Sequence, residues 1–180
     1  MKKVLFTLLV VFASSSFYGQ TVFDQFDGRE EIVSVIVNKK MFELMSKVKV
    51  DASDKETQQY LKLIQNLENL KVFSTTNSTA ARKMRDVADG YIKSADLEEL
   101  KKVNENGKQV TIDVKRSGNN NQLKEFLMFI DDDSNGINRS VLMSLTGVFS
   151  LNDISILTDK MQIPGGMIMR FFLSCQLQVF

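Results

Sequence analysis

The chain has 180 residues, which suits one domain with a real core, and its 23 basic and 22 acidic side chains leave no cationic excess, so a nucleic-acid partner is not expected. Histidine is absent, which excludes Ser-His-Asp and Cys-His nucleophiles and His-ligated zinc or haem within this chain. The single cysteine, Cys175, excludes an intrachain disulfide and reads as a small apolar residue of a hydrophobic tail.

Met1 to Gln20 has the organisation of a secretory signal peptide. Lys2 and Lys3 form a positive start, Val4 to Ala13 an apolar run, and Ser14, Ser15, Ser16 and Gly19 the small residues near a cleavage site. The run is shorter than the roughly 20 residues that span a bilayer, so no transmembrane segment is expected. These features predict an exported protein.

Residues 21–166 read as a single α+β domain. Phe23 and Phe26 tie a short polar leader to the body. Val33, Val35 and Val37 alternate as a strand, Asn38 is a helix N-cap, and Met41, Phe42, Met45 and Val48 recur at helical spacing. Lys39 and Lys40 read as solvated side chains of that helix start. Ser53 and Glu56 have capping-box spacing, and Tyr60, Leu61, Ile64 and Leu67 line the helix that follows. Leu70 to Thr75 is a short strand. Asn77 or Ser78 caps a helix whose stripe is Ala81, Met84, Val87, Ala88 and Tyr91, with Gly90 inside it.

Leu100 to Val103 reads as a strand and Asn104 to Gly107 as a turn. Val110, Ile112 and Val114 alternate with Thr111, Asp113 and Lys115, the pattern of a half-buried strand. Phe126 to Ile130 is apolar on both faces, as in a central strand. Val141, Met143 and Leu145 form a last strand, broken by Gly147. Ser150 or Asn152 opens a closing helix with Ile154, Leu157 and Met161, ended by Pro164-Gly165-Gly166. The expected fold is therefore an N-terminal strand and helices, then an antiparallel four-stranded meander and a closing helix, with the helices on one sheet face. Met167 to Phe180 is an atypical hydrophobic C-terminal tail.

Candidate chemistry is sparse. Asp131, Asp133, Asn135 and Gly136 match the first, third, fifth and sixth positions of a calcium loop, where oxygen ligands and a glycine bend are needed. The twelfth position holds Leu142 instead of a bidentate glutamate, and a solvated hairpin tip uses the same residue types. Carboxylates adjoin at Glu30/Glu31, Glu98/Glu99 and Asp132/Asp133, but sequence neighbours do not face one another. No nucleophile elbow, phosphate loop or dinucleotide fingerprint occurs, so no cofactor is expected.

VSVIVNKKMFEL at Val33 to Leu44, LENLKVFST at Leu67 to Thr75, LMSLTG at Leu142 to Gly147 and LTDKMQIPGG at Leu157 to Gly166 together resemble an exported bacterial family, domain of unknown function 4252. The resemblance runs from about Phe23 to Gly166 and rests on core and turn residues. It implies a small protein of the periplasm or surface of a Gram-negative bacterium and brings no catalytic or binding residue with it. Members end soon after the Pro-Gly-Gly with a short charged tail, where this chain continues as MIMRFFLSCQLQVF.

The function expected is that of an exported, non-catalytic envelope protein, a binding or regulatory module for an envelope protein or small ligand. Two alternatives stand beside it: a hydrolytic enzyme using carboxylate, lysine or tyrosine chemistry, and a structural calcium-binding domain.

Overall fold

The structure, a computed structural model, describes residues 21–48, 54–105, 107–118, 122–133, 136 and 138–161. The expected signal peptide, the Pro-Gly-Gly stop, the apolar tail and Ser53 lie outside the described residues. In chain order the elements are a short 3₁₀ helix (Thr21–Phe26), β1 (Val33–Asn38), α1 (Lys39–Met45), α2 (Lys55–Gln65), β2 (Leu67–Thr75), α3 (Ser78–Ala95), β3 (Glu98–Glu105), β4 (Lys108–Arg116), β5 (Leu123–Asp132), β6 (Arg139–Phe149) and α4 (Leu151–Met161).

Local chemistry sets the helix starts. The Asn38 carboxamide accepts the Met41 N–H at 3.0 Å, and Asn77 accepts from both Thr79 and Ala80 at 3.0 Å. Asp54 caps α2 by accepting from Thr57 at 3.0 Å. At α4 the cap is reciprocal: Asp153 accepts the Ser150 N–H at 2.7 Å while the Ser150 hydroxyl accepts the Asp153 N–H at 3.3 Å.

The strands form one six-stranded antiparallel sheet in the order β1-β2-β6-β5-β4-β3. This corrects the four-stranded expectation, because β2 pairs along β6 and carries β1 with it. Side chains alternate between faces, and both faces of the central strands are buried. On one face Leu70, Val72, Val110, Ile112, Phe126, Met128, Ile130, Val141 and Met143 pack with Phe42 of α1, Leu63 and Ile64 of α2, and Ile154 and Leu157 of α4. On the other, Phe73, Leu127, Phe129 and Leu142 pack with Phe23 and Phe26 of the leader and with Ala80, Met84, Ala88 and Tyr91 of α3.

Helices therefore cover both faces, not one. The apolar run Phe126–Ile130 required this, since Leu127 and Phe129 would otherwise face water. Every residue of that run is at most 4% exposed. Each fully buried leucine- or phenylalanine-sized side chain contributes about 1.5–3 kcal/mol, so leaving one face open would forfeit several such terms. Among the described residues, buried polar side chains are confined to the α3 face. Lys71, Thr75, Asp113, Ser140, Ser144 and Thr146 all lie there. Lys71 donates to Asp24 of the leader at 2.6 Å, which ties that segment to the sheet.

Gly147 does not break β6, which continues to Phe149. Its φ is +144°, and at this point the pairings to β2 and β5 both shift register. Among the described residues no helix is long and apolar enough to cross a membrane.

Candidate functional site

One cross-strand row is polar over five strands. Thr75 of β2, Ser140 of β6, Asp131 of β5, Gln109 of β4 and Asn104 of β3 are successive register partners at one end of the sheet, on the α3 face. The next row along that face includes Phe73, Leu142 and Phe129, which belong to the α3-side core. The boundary between the two rows marks the floor of a cleft.

The first turns of α3 form the opposite wall. Ser78, Ala81 and Arg82 face the row across an open cleft of about 350 Å³, completed by Gly107, Asp132, Asp133, Asn138 and Arg139 from the two hairpins. Thr75 fixes the approach of α3. Its hydroxyl donates to the Glu31 carbonyl at 2.6 Å and accepts the Asn77 N–H at 3.0 Å.

The electrostatics of the cleft are matched from within. The Arg85 guanidinium pairs with Asp131, with Nε 3.2 Å from Oδ2, and lies 4.2 Å from the centroid of the Phe129 ring. Ser140 donates to the other Asp131 oxygen at 2.5 Å. Lys108 stands 2.8 Å from Asp132. Two of the three lining carboxylates, Asp131 and Asp132, are thus matched by cations, and Asp133 is the third. Arg82, which donates to Thr79 Oγ1 at 3.5 Å, adds a further guanidinium group on the α3 wall, and Arg139 lines the cleft from the β6 end. Together with the amides of Asn104 and Gln109, Arg82 offers the cleft hydrogen-bond donors, with the Asp133 carboxylate in the same lining.

The proposed calcium ligands fall at this cleft. Asp131 and Asp133 line it, while Asn135 lies outside the described residues. The Asp131 carboxylate is engaged by Arg85 and Ser140, and the Asp133 N–H bonds to the Gly107 carbonyl at 3.0 Å. Among the described residues no group of three or more Asp, Glu, Cys or His is placed to hold a metal ion. The adjacent carboxylates diverge: Glu98 pairs with Arg116, Glu99 stands opposite Asp113, and Asp132 meets Lys108.

The shifted titratable groups lie outside the cleft. Asp113 is 6% exposed on the α3 face, and burial, then the negative charges of Glu99 and Asp89, push its carboxyl up to about 6 against the opposing effect of Lys102. Burial also raises the Tyr91 phenol, reinforced by its hydrogen bond to Glu125 at 2.5 Å and by that carboxylate's charge. Burial raises Tyr60 as well. None of these three lines the cleft.

The sequence reading did not single out Arg82, Arg85, Arg139, Asn104 or Gln109. The one available signal was the placement of Arg82 and Arg85 beside Ala81, Met84 and Ala88, which puts guanidinium groups at the rim of the buried stripe of α3.

No curated protein and no solved structure matches the chain. A family model described as a domain of unknown function, DUF4252, matches residues 26–157, from the second leader phenylalanine to the last buried leucine of α4. That match covers well over half of the chain, and the chain belongs to this family.

Proposed function

We propose that the protein is an exported, non-catalytic component of the cell envelope, a binding or regulatory module whose cleft at the polar end of the sheet receives an acid-bearing group of a partner protein or small ligand. One observation carries this reading. Asp131 and Asp132 already have cationic partners in Arg85 and Lys108, while Arg82, Arg139, Asn104 and Gln109 line the same cleft together with a third carboxylate, Asp133. A guanidinium group backed by amide donors suits carboxylate or phosphate recognition. Export is supported by the organisation of Met1–Gln20.

The test is thermal unfolding in the presence of dicarboxylates, phosphate and glutamate-rich peptides, for the wild-type protein and for Arg82→Ala/Arg139→Ala. At a hundredfold excess over its dissociation constant a specific ligand adds about 2.7 kcal/mol of stability. The expected result is a rise in Tm with at least one acidic probe that the double variant loses. A flat response to every probe, or a rise of equal size in the variant, contradicts the assignment.

A further inference from the structure

β1 is an edge of the sheet, paired only with β2 among the described residues. Its sequence, Val-Ser-Val-Ile-Val-Asn, has neither a charge nor a proline. Edge strands ordinarily carry such residues, because an unblocked edge offers its backbone N–H and C=O groups to another chain. The surface beside it is also apolar. Val33 is 70% exposed and Val35 41%, and on and just after the adjoining α1 the side chains of Met41, Leu44 and Val48 are at least half exposed.

The charges flanking the strand identify what covers it. Glu30 and Glu31 immediately precede β1, and Lys39 and Lys40 immediately follow it. If β1 pairs antiparallel with β1 of a second copy, centred on Val35, then Val35 meets Val35 and Val33 meets Val37, and the Glu30–Glu31 turn before one β1 comes beside the Lys39–Lys40 helix start after the other. The twofold axis repeats each contact. A parallel arrangement in the same register would set glutamate against glutamate and lysine against lysine. Glu31 contacts Arg29 of its own chain at 3.5 Å, a solvent-exposed pair of the kind that is weak and readily exchanged.

We infer that β1 is a self-association edge, across which two copies of this chain join in an isologous antiparallel dimer with a continuous twelve-stranded sheet. The valines supply the apolar contact and the apposed glutamates and lysines fix direction and register. The edge is separate from the cleft and does not depend on the ligand assigned to it.

Sedimentation equilibrium over a wide concentration range tests this, on the wild-type protein and on three groups of variants. Val35→Lys places a charge on the axis at an exposed position, so its Tm stays near wild type while dimer is lost. Glu30→Lys/Glu31→Lys and Lys39→Glu/Lys40→Glu each weaken the dimer by about tenfold or more, and combining all four substitutions restores it. A protein that is monomeric at every concentration overturns the inference. If the β1 amides of such a monomer are nonetheless protected from hydrogen exchange, another segment of the same chain covers the edge. A dimer unaffected by Val35→Lys, or a fourfold variant as weak as the two doubles, also overturns it.

Discussion

Replacing Gly147 with alanine should destabilise the protein more than any other single methyl addition at a described glycine. A Cβ at this position would stand 2.4 Å from the Asn66 carbonyl oxygen and 2.7 Å from the Leu67 Cα, both backbone atoms that no rotamer change can move. The Val148 N–H donates to that same Asn66 carbonyl at 2.9 Å, so displacing it breaks the join between β6 and the start of β2. The φ of +144° adds strain of about 1–3 kcal/mol for a non-glycine residue. Overpacking against the fixed backbone adds about 1–3 kcal/mol more. The smaller unfolded-state entropy of alanine returns about 0.4–1 kcal/mol. The net expected loss is about 3 kcal/mol, a large part of the 5–15 kcal/mol that holds an ordinary domain folded. Urea unfolding followed by circular dichroism reads it as a lower midpoint at unchanged slope. Gly90→Ala is the matched control. Gly90 lies within α3 with no atom within 4 Å of an added Cβ, so the same substitution there should stabilise by up to about 1 kcal/mol. A Gly147→Ala loss below about 1 kcal/mol would refute the close-approach reasoning, because strain alone reaches that value.

Three further outcomes are expected. Asp113 has its folded carboxyl raised from 3.8 to about 6, so the native state binds the extra proton and wild-type stability falls as pH rises through that window. At 1.36 kcal/mol per unit the shift has a ceiling of about 3 kcal/mol, reduced to about 1–2 by solvent screening of the exposed Glu99 and Asp89. Asp113→Asn should remove this slope and be the more stable protein at pH 7; parallel stability profiles from pH 4 to 8 would contradict it. Arg85→Ala should cost about 1–3 kcal/mol in chemical denaturation, because it takes the cation from Asp131 and the stacked group from Phe129, and a change below about 0.5 kcal/mol would show the bridge to be idle. Saturating calcium should leave Tm unchanged, since Asp131 is committed to Arg85 and Ser140; a clear rise that Asp131→Asn abolishes would restore the calcium-loop reading.

What could be read from the residues was mostly local. Asn38 and Asn77 cap the helices that follow them because side-chain capping is settled within three residues. Val110, Ile112 and Val114 alternate inward as a strand with one buried row must. The partner of β2 was not legible. Its pairing with β6 joins Leu67 to Gly147 across most of the domain, a choice made by the whole sheet and not by either segment. The consequences of that choice reach single residues. Asp113 occupies the polar phase of an alternating strand and reads as solvent-facing, yet α3 covers it. The cleft was hidden for a related reason. Asn104 reads as a turn residue and Asp131 as a calcium-loop position, Gln109 and Ser140 carry no signal of their own, and only the register sets the four in one row beneath the first turns of α3.

The binding role of that row is best tested by affinity capture from an envelope extract of the native host, run in parallel with the wild-type protein and with Arg82→Ala/Arg139→Ala as bait. Unfolding curves first establish that both baits are folded. A partner or ligand retained by the wild type and released by the double variant is the result expected of a cleft that recognises an acidic group through its arginines. Identical capture by the two baits, or no specific capture by either, would contradict it.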